Sequence, residues 1–315
     1  MHEDDIIARA AQFPLQHKLL LGIGDDAAVL APQALPLVWT VDTLVENTHF
    51  LRAMPAAEIG WKALAVNLSD LAAMGATPLA ALLSLSLPAD LDPAWLQSFW
   101  QGLEAACTRY HVALAGGDSV RAREIQISLS LLGHSTRPVT RSGAKAGDLL
   151  VVSGAFGGAA AGLHCFKQGL DQPGLLRRHW HPLPRFEVAA ALSQGCQQLA
   201  MLDTSDGLAR SLQVLCEANA LGCEVEGPLI PVEAGLAELA EAAVVRDWVL
   251  NGGEDFELLA AVDPAAAHWI STDPQLQIIG HLTQQTRQLI RYPDEVIELN
   301  GRDWGYQHFG DGALV

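Results

Sequence analysis

The chain has 315 residues, 50% of them apolar and 17% charged, a length that points to about two domains and a composition that excludes a disordered chain. Its 36 acidic residues outnumber the 19 Lys and Arg, and the net charge of -17 excludes a nucleic-acid backbone or an anionic membrane surface as the main partner. None of the lysines (Lys18, Lys62, Lys145 and Lys167) stands in a Gly-Lys-Ser/Thr triplet, which excludes a Walker-type ATPase.

The opening MHEDDIIARA is acidic and lacks a cationic segment followed by an apolar stretch, so no signal peptide is expected and the chain reads as cytoplasmic. Residues 37–41 form a predicted buried strand running into Asp42. Residues 58–74 read as a helix apolar nearly all round, hence buried, and stopped by Gly75. Residues 71–89 carry no charge, but Gly75, Pro78 and the alternation of LSLSL mark a turn and a strand over 79–87 rather than a membrane span. A helix over about 93–110 and strands over 112–115 and 125–133 follow. The basic, Pro- and Gly-punctuated stretch 136–148 places a domain boundary, dividing the chain into 1–137 and 138–315. Beyond it come a strand over 149–153, a glycine-rich turn into a helix, a Pro-broken basic loop over 176–185, and helices over about 185–199 and 206–221. Strands and helices interleave in both halves, which gives an α/β (α+β) class. The five cysteines form no CxxC pair and are expected to be reduced and mostly buried.

The acids fall where the strands are predicted to end. Asp25 and Asp26 follow LLLGIG, Asp42 ends LVWTV, and Asp118 ends ALAGG; Asp203 and Asp206 bracket Thr204-Ser205, and Glu254 and Asp255 follow VLNGG. Such loops are where α/β folds bind ligands. Taken alone, Asp206 is a helix N-cap and Asp42 is turn chemistry. Asp70 is different, because AVNLSDLAAMG is a helix with little polar face, where an unpaired carboxylate costs roughly several kcal/mol. Asn67 precedes it on the same face. With Lys and Arg scarce nearby, a divalent cation is the natural partner, and all-oxygen donors point to Mg²⁺ or Mn²⁺. Such ions would let an acidic protein hold polyphosphate, with the N–H groups of Gly116-Gly117 close to the phosphates. SGAFGGAAAG (153–162) looks like a dinucleotide fingerprint, but its glycine spacing is wrong and no acid-ended strand follows; it reads as a tight turn packing helix on strand.

In order along the chain, GIGDDAAVL, VDTLVENTHF, KALAVNLSDLAAMGATP, GGDS, TRSGAKAGD, DTSDGL and LNGGEDFEL resemble the motifs of the thiamine-monophosphate kinases, a family of the aminoimidazole-ribonucleotide-synthetase-like ATP-binding superfamily. The resemblance implies ATP-dependent phosphorylation of thiamine monophosphate to thiamine diphosphate. It implies a homodimer of the two-domain superfamily fold, with the N-terminal domain binding ATP and Mg²⁺ and lining the dimer interface, and the C-terminal domain closing the site. Carried over by motif position, Asp26, Thr40, Val41, Asp42, Asp70, Asp118, Asp203 and Asp206 would hold several Mg²⁺ ions, Val41 through its backbone carbonyl because the family's hydroxyl is missing there. Gly117, Asp118, Arg141 and Ser205 would contact ATP, and His49, Glu254 and Trp304 the thiamine phosphate. Asp42, Asp70, Asp118 and Arg141 would carry the catalysis. Asn47 replaces a family glycine, which a left-handed turn tolerates, and Phe256 replaces a tyrosine. Of the superfamily's other activities, selenophosphate synthesis would need a reactive Cys near the N-terminus, and the hydrogenase-maturation activity a C-terminal Cys; neither is present. A non-catalytic nucleotide or metal sensor is the alternative from a different class, and ADP release dependent on thiamine monophosphate separates the two.

Overall fold

The computed structural model describes residues 3–14, 19–21, 23, 28 and 30–306. Asp26, with Asp25 and Lys18, lies outside them. The chain forms two compact units; the first runs to Leu71 and over Ala76–Pro138, and the second takes Ala72–Gly75 and continues from Val139.

The first unit is built from α1 (Glu3–Ala10), β1 (Leu37–Val45), α2 (Ala56–Ala73), β2 (Thr77–Leu87), α3 (Pro93–Tyr110), β3 (Ala113–Arg121) and β4 (Gln126–His134). The sheet order is β1-β4-β2-β3, with β2 and β3 parallel and the other pairs antiparallel. Alternating burial along β4, with Ile127, Leu129 and Leu131 buried, gives one core face and one open face. Apolar on most sides, α2 buries Ile59, Leu64, Leu68 and Leu71 completely, and Lys62 and Asn67 with them. Gly60 and Gly102 let α2 and α3 touch: a Cβ on Gly60 would lie 2.1 Å from the Phe99 carbonyl oxygen, and one on Gly102 1.7 Å from that of Ala57. Asp92 caps α3 by accepting from the Ala94 N–H at 2.9 Å, and Pro93 occupies the first turn.

The second unit carries β5 (Leu149–Ser153), α4 (Gly158–Gln168), α5 (Pro173–Trp180), α6 (Phe186–Gly195), β6 (Leu199–Asp203), α7 (Leu208–Asn219), β7 (Gly222–Glu226), α8 (Leu236–Leu239), α9 (Ala242–Asn251), β8 (Leu258–Val262), α10 (Ala267–Ile270), β9 (Leu276–Thr283), β10 (Gln288–Arg291) and β11 (Val296–Glu298). Its sheet runs β11-β10-β7-β9-β5-β8-β6 and is covered on both faces. Leu150, Val152 and Leu202 pack with Leu208 and Leu212 of α7, while Val151 and Met201 pack with Val188 and Leu192 of α6. Strand β8 is accordingly buried at every position.

Several expectations need correction. The sequence predicts a loop over 176–185, but α5 occupies Pro173–Trp180. Pro173 sits where a first-turn proline is harmless, Pro182 and Pro184 fall beyond the end, and Arg177, Arg178 and His179 stand in the last turn, where cations suit the helix dipole. Helix α6 stops at Gly195, four residues short of the predicted end, because β6 begins at Leu199. Asp42 and Asp118 do not end their strands: β1 and β3 continue to Val45 and Arg121. The cysteines are all free and buried, and burial pushes the thiols of Cys107 and Cys196 up to about 12 and about 11.

Candidate active site

In the first unit the pleat of β1 sorts its residues. Leu37, Trp39 and Val41 project from the open face at 53%, 72% and 64% exposure, so Thr40 and Asp42 point to the helix-covered side. There Thr40 Oγ1 donates to Asp70 Oδ2 of α2 at 2.5 Å. Asp70 is half-buried rather than enclosed, at the end of a run of buried α2 residues. Two carboxylates and a hydroxyl on adjoining elements form a donor set of hard oxygens, which suits Mg²⁺. Asp118 is not beside them. Strand β3 is the opposite edge of the sheet from β1, and Asp118 is exposed and in register with Ser84, whose row continues through Ser128 to Thr43 on the open face. Three strand spacings of about 4.8 Å separate the two edges. Among the described residues no three His, Cys, Asp or Glu side chains cluster closely enough to hold a metal by themselves.

After β1 the chain turns at Asn47, which adopts φ 63°, the left-handed conformation that asparagine accepts. Buried Glu46 pins this turn, accepting from Arg52 at 2.6 and 2.8 Å and from the Ile125 N–H at 3.0 Å, and the guanidinium holds its carboxyl below the ordinary range. His49 Nδ1 accepts the Val45 N–H at 3.0 Å, so the neutral ring carries its proton on Nε2.

In the second unit two motif loops are laced together. The Thr204 N–H donates to the Glu257 carbonyl at 2.8 Å, and the Glu254 N–H to the Ser205 carbonyl at 2.7 Å. A Cβ on Gly253 would lie 2.7 Å from that same Ser205 oxygen, so the approach requires glycine. Glu254 and Phe256 adopt φ 69° and 50°, an unusual conformation for side chains of their size, with Asp255 between them. Asp206 is not a helix cap: Gly207 holds the N-cap position of α7 with no side-chain bond. The segment after β11 docks on the same loops, the Tyr306 N–H donating to the Asp206 carbonyl and the Gly305 N–H to Asn251 Oδ1, both at 3.1 Å. Thus Asp203, Ser205, Asp206, Glu254 and Trp304 share one region. The Trp304 indole packs on the core and donates to the Leu299 carbonyl at 3.1 Å, with the Arg302 guanidinium 5.9 Å from its ring centre. Arg141 lies apart from these residues in an exposed loop tied to the last residue of α7, about 18 Å along that helix from Ser205.

Sequence reasoning missed three supports of the candidate residues. His179, 1% exposed on α5, places Nδ1 3.1 Å from Glu254 Oε2. Glu257, fully buried, accepts from Arg185 Nε at 2.7 Å, Arg178 at 3.1 Å and Ser153 Oγ at 2.6 Å. Asn219 braces the Arg141 loop. No spacing rule signals such contacts, because each joins residues far apart in the chain.

The family model for "AIR synthase related protein, N-terminal domain" matches residues 24–135. A thiamine-monophosphate kinase of Escherichia coli K12 is 38% identical over 308 residues, covering 92% of both chains. The crystal structure of thiamine-monophosphate kinase from Stenotrophomonas maltophilia K279a is 35% identical, covers 91% of this chain and 94% of that one, and superposes with a TM-score of 0.79. A structure described as AaThiL complexed with AMPPCP and TMP is 28% identical, covers 94% and 95%, and gives a TM-score of 0.77.

Proposed function

This chain belongs to the thiamine-monophosphate kinase family, an enzyme family of phosphotransferases, and we propose that it transfers the γ-phosphoryl group of ATP directly and in line onto thiamine monophosphate, giving thiamine diphosphate and ADP. The observation that carries this reading is the reach of the similarity: it spans 92% of the chain, both units included, and not the nucleotide-binding half alone. The reaction would complete thiamine diphosphate synthesis, and a cytoplasmic location belongs to the same proposal. Among the described residues no helix is long and apolar enough to cross a membrane.

The acceptor sets the catalytic task. A phosphate monoester has a second pKa near 6, so roughly nine-tenths of it is dianionic at pH 7 and its oxygen needs no general base. What remains is to align two anions and neutralise the charge between them. Asp26, Thr40, Val41 through its backbone carbonyl, Asp42, Asp70, Asp118, Asp203 and Asp206 would hold the several Mg²⁺ ions that supply that neutralisation. Thr40 keeps Asp70 oriented by its hydrogen bond. His49, whose proton sits on Nε2, offers an N–H donor to the anionic acceptor, and Glu254 offers a carboxylate to the cationic thiazolium. Gly117, Arg141 and Ser205 contact the nucleotide, Arg141 as the cation among them. We assign nucleotide and metal binding and dimerisation to residues 1–137, and closure of the site to residues 138–315.

The same proposal includes a homodimer. Leu37, Trp39, Val41, Leu82 and Val120 leave an apolar surface on the open face of the first sheet, of the kind a second copy covers. The deciding assay mixes the protein with ATP and Mg²⁺ and follows ADP. Release that requires thiamine monophosphate and yields thiamine diphosphate supports the kinase; nucleotide binding without turnover supports a sensor.

A further inference from the structure

The loop between Thr140 and Asp148 is exposed over most of its length. Residues 140–143 are exposed, Gly143 and Gly147 take φ of 102° and 92°, and a Cβ on either would meet nothing within 4 Å. Its near end is fixed where the Met201 N–H donates to the Thr140 carbonyl at 3.0 Å. Its far end is fixed by Asp148, which accepts from the Lys145 N–H at 2.7 Å and from Gln198 at 2.6 Å. Besides the Gly147 N–H bond to the Leu282 carbonyl at 2.8 Å and the Thr140 hydroxyl bond to the Ser142 carbonyl at 3.2 Å, one side chain makes most of the bonds to the stretch between. Asn219 Nδ2 donates to the Arg141 carbonyl at 2.8 Å and to the Leu215 carbonyl at 2.7 Å, while Oδ1 accepts from the Gly143 and Ala144 N–H groups at 2.8 and 2.9 Å. Two donors and two acceptor sites are a primary amide's full capacity, and all four are used.

From this bracing we infer that Asn219 is a positioning residue for Arg141, setting the backbone from which that side chain reaches the nucleotide. The inference rests on the reading that Arg141 contacts ATP. Aspartate would keep the two acceptors but set a carboxylate oxygen against the Arg141 carbonyl, and serine, shorter and with a single donor, could not bond the Arg141 and Leu215 carbonyls together, so asparagine, unlike either, holds both sides of the loop. With Asn219 removed, three loop bonds go and the glycine at 143 lets the Arg141 backbone wander.

The test is a double-mutant cycle on the full-length enzyme, with KM for each substrate and a melting curve for each variant. Asn219→Ala is expected to raise KM for ATP about five- to twentyfold while KM for thiamine monophosphate stays within about twofold. Arg141→Ala should raise KM for ATP at least as much, and the double variant should be no worse than Arg141→Ala alone, because the two changes remove one interaction. Faster amide hydrogen exchange at Gly143 and Ala144 in Asn219→Ala would report the loosened loop independently of activity. If Asn219→Ala melts too low to assay, Asn219→Ser takes its place in the cycle. Multiplicative losses in the double variant, or equal rises in both KM values, would overturn the inference while leaving the role of Arg141 intact. An Arg141→Ala enzyme with an unchanged KM for ATP would overturn the reading of Arg141 itself, and this inference with it.

Discussion

Asp255 accepts the backbone N–H of Gly157 at 2.7 Å, and with its other oxygen that of Ala159 at 2.9 Å. The acid of one motif thereby caps the helix that opens the glycine-rich turn, α4, whose own N-cap residue offers no side chain. Two of the N–H groups that a dinucleotide phosphate would need are already engaged, which is the physical reason the turn is structural.

Asp255 should also leave a signature in the pH dependence of stability. Burial pushes its carboxyl up to about 7, against the lowering effect of the two N–H groups and Arg178. A carboxyl that binds its proton more tightly in the folded than in the unfolded chain stabilises the fold below its unfolded pKa and loses that contribution as pH rises through the folded value. Its share of stability therefore falls between about pH 4 and pH 7 and is flat above. Urea unfolding across this range should show the decline in the wild type and a smaller one in Asp255→Asn, which cannot titrate. Parallel curves for the two proteins would refute the assignment.

Asp70→Asn keeps the volume of the side chain and removes the charge proposed to bind metal. It should lower kcat at least about a hundredfold with the melting temperature nearly unchanged, and raised Mg²⁺ or Mn²⁺ should restore part of the rate. Near wild-type turnover at low Mg²⁺ would assign Asp70 a structural role alone.

The periodic part of the fold was legible in the sequence, and its long-range part was not. The buried helix α2, the alternating strand β2 and the helix α3 are legible because their signals are local. The predicted loop over 176–185 is helix as far as Trp180, because Pro182 and Pro184 lie beyond the helix end and do not break it. The site was legible as a set of motifs but not as a layout. Nothing local to Asp118 shows that β3 forms the sheet edge opposite β1, since strand order is decided by pairing across the chain. For the same reason Asn219 and His179, each acting on a distant loop, carried no sequence signal.

Direct transfer predicts inversion of configuration at a chiral γ-phosphoryl group, since a single in-line displacement inverts once. Stereochemical analysis of the thiamine diphosphate formed would show it. Retention would require two displacements, and therefore a phosphorylated residue of the enzyme.

Trp39 stands 72% exposed on the open sheet face, its indole N–H donating to Ser130 Oγ at 2.6 Å. Trp39→Lys should leave the fold intact and shift the protein from dimer to monomer in sedimentation velocity, because a charge on a self-complementary apolar face is met by its own copy. A wild type that sediments as a monomer, or a variant that remains dimeric, would remove this face as the interface.

Trp304 is asked to do two things at once. Its ring packs on the second unit's core and its N–H holds the Leu299 carbonyl, yet the neighbouring residues 305 and 306 bond to the Asn251 side chain and the Asp206 backbone, beside Glu254. Cutting the ring to Ala should therefore lower the melting temperature, since a half-buried indole loses its packing. If the ring also faces the thiamine, the cost extends to binding: a permanent thiazolium cation against an aromatic face is held by about 1–2 kcal/mol when desolvated. Trp304→Ala should then raise KM for thiamine monophosphate about five- to thirtyfold. KM for ATP should hardly move, because in the proposed site Mg²⁺ and Arg141 would hold the nucleotide. Trp304→Phe, which keeps a smaller aromatic face but loses the bond to Leu299, should recover most of the binding and less of the stability. A fall in melting temperature with both KM values unchanged would assign the indole to packing alone.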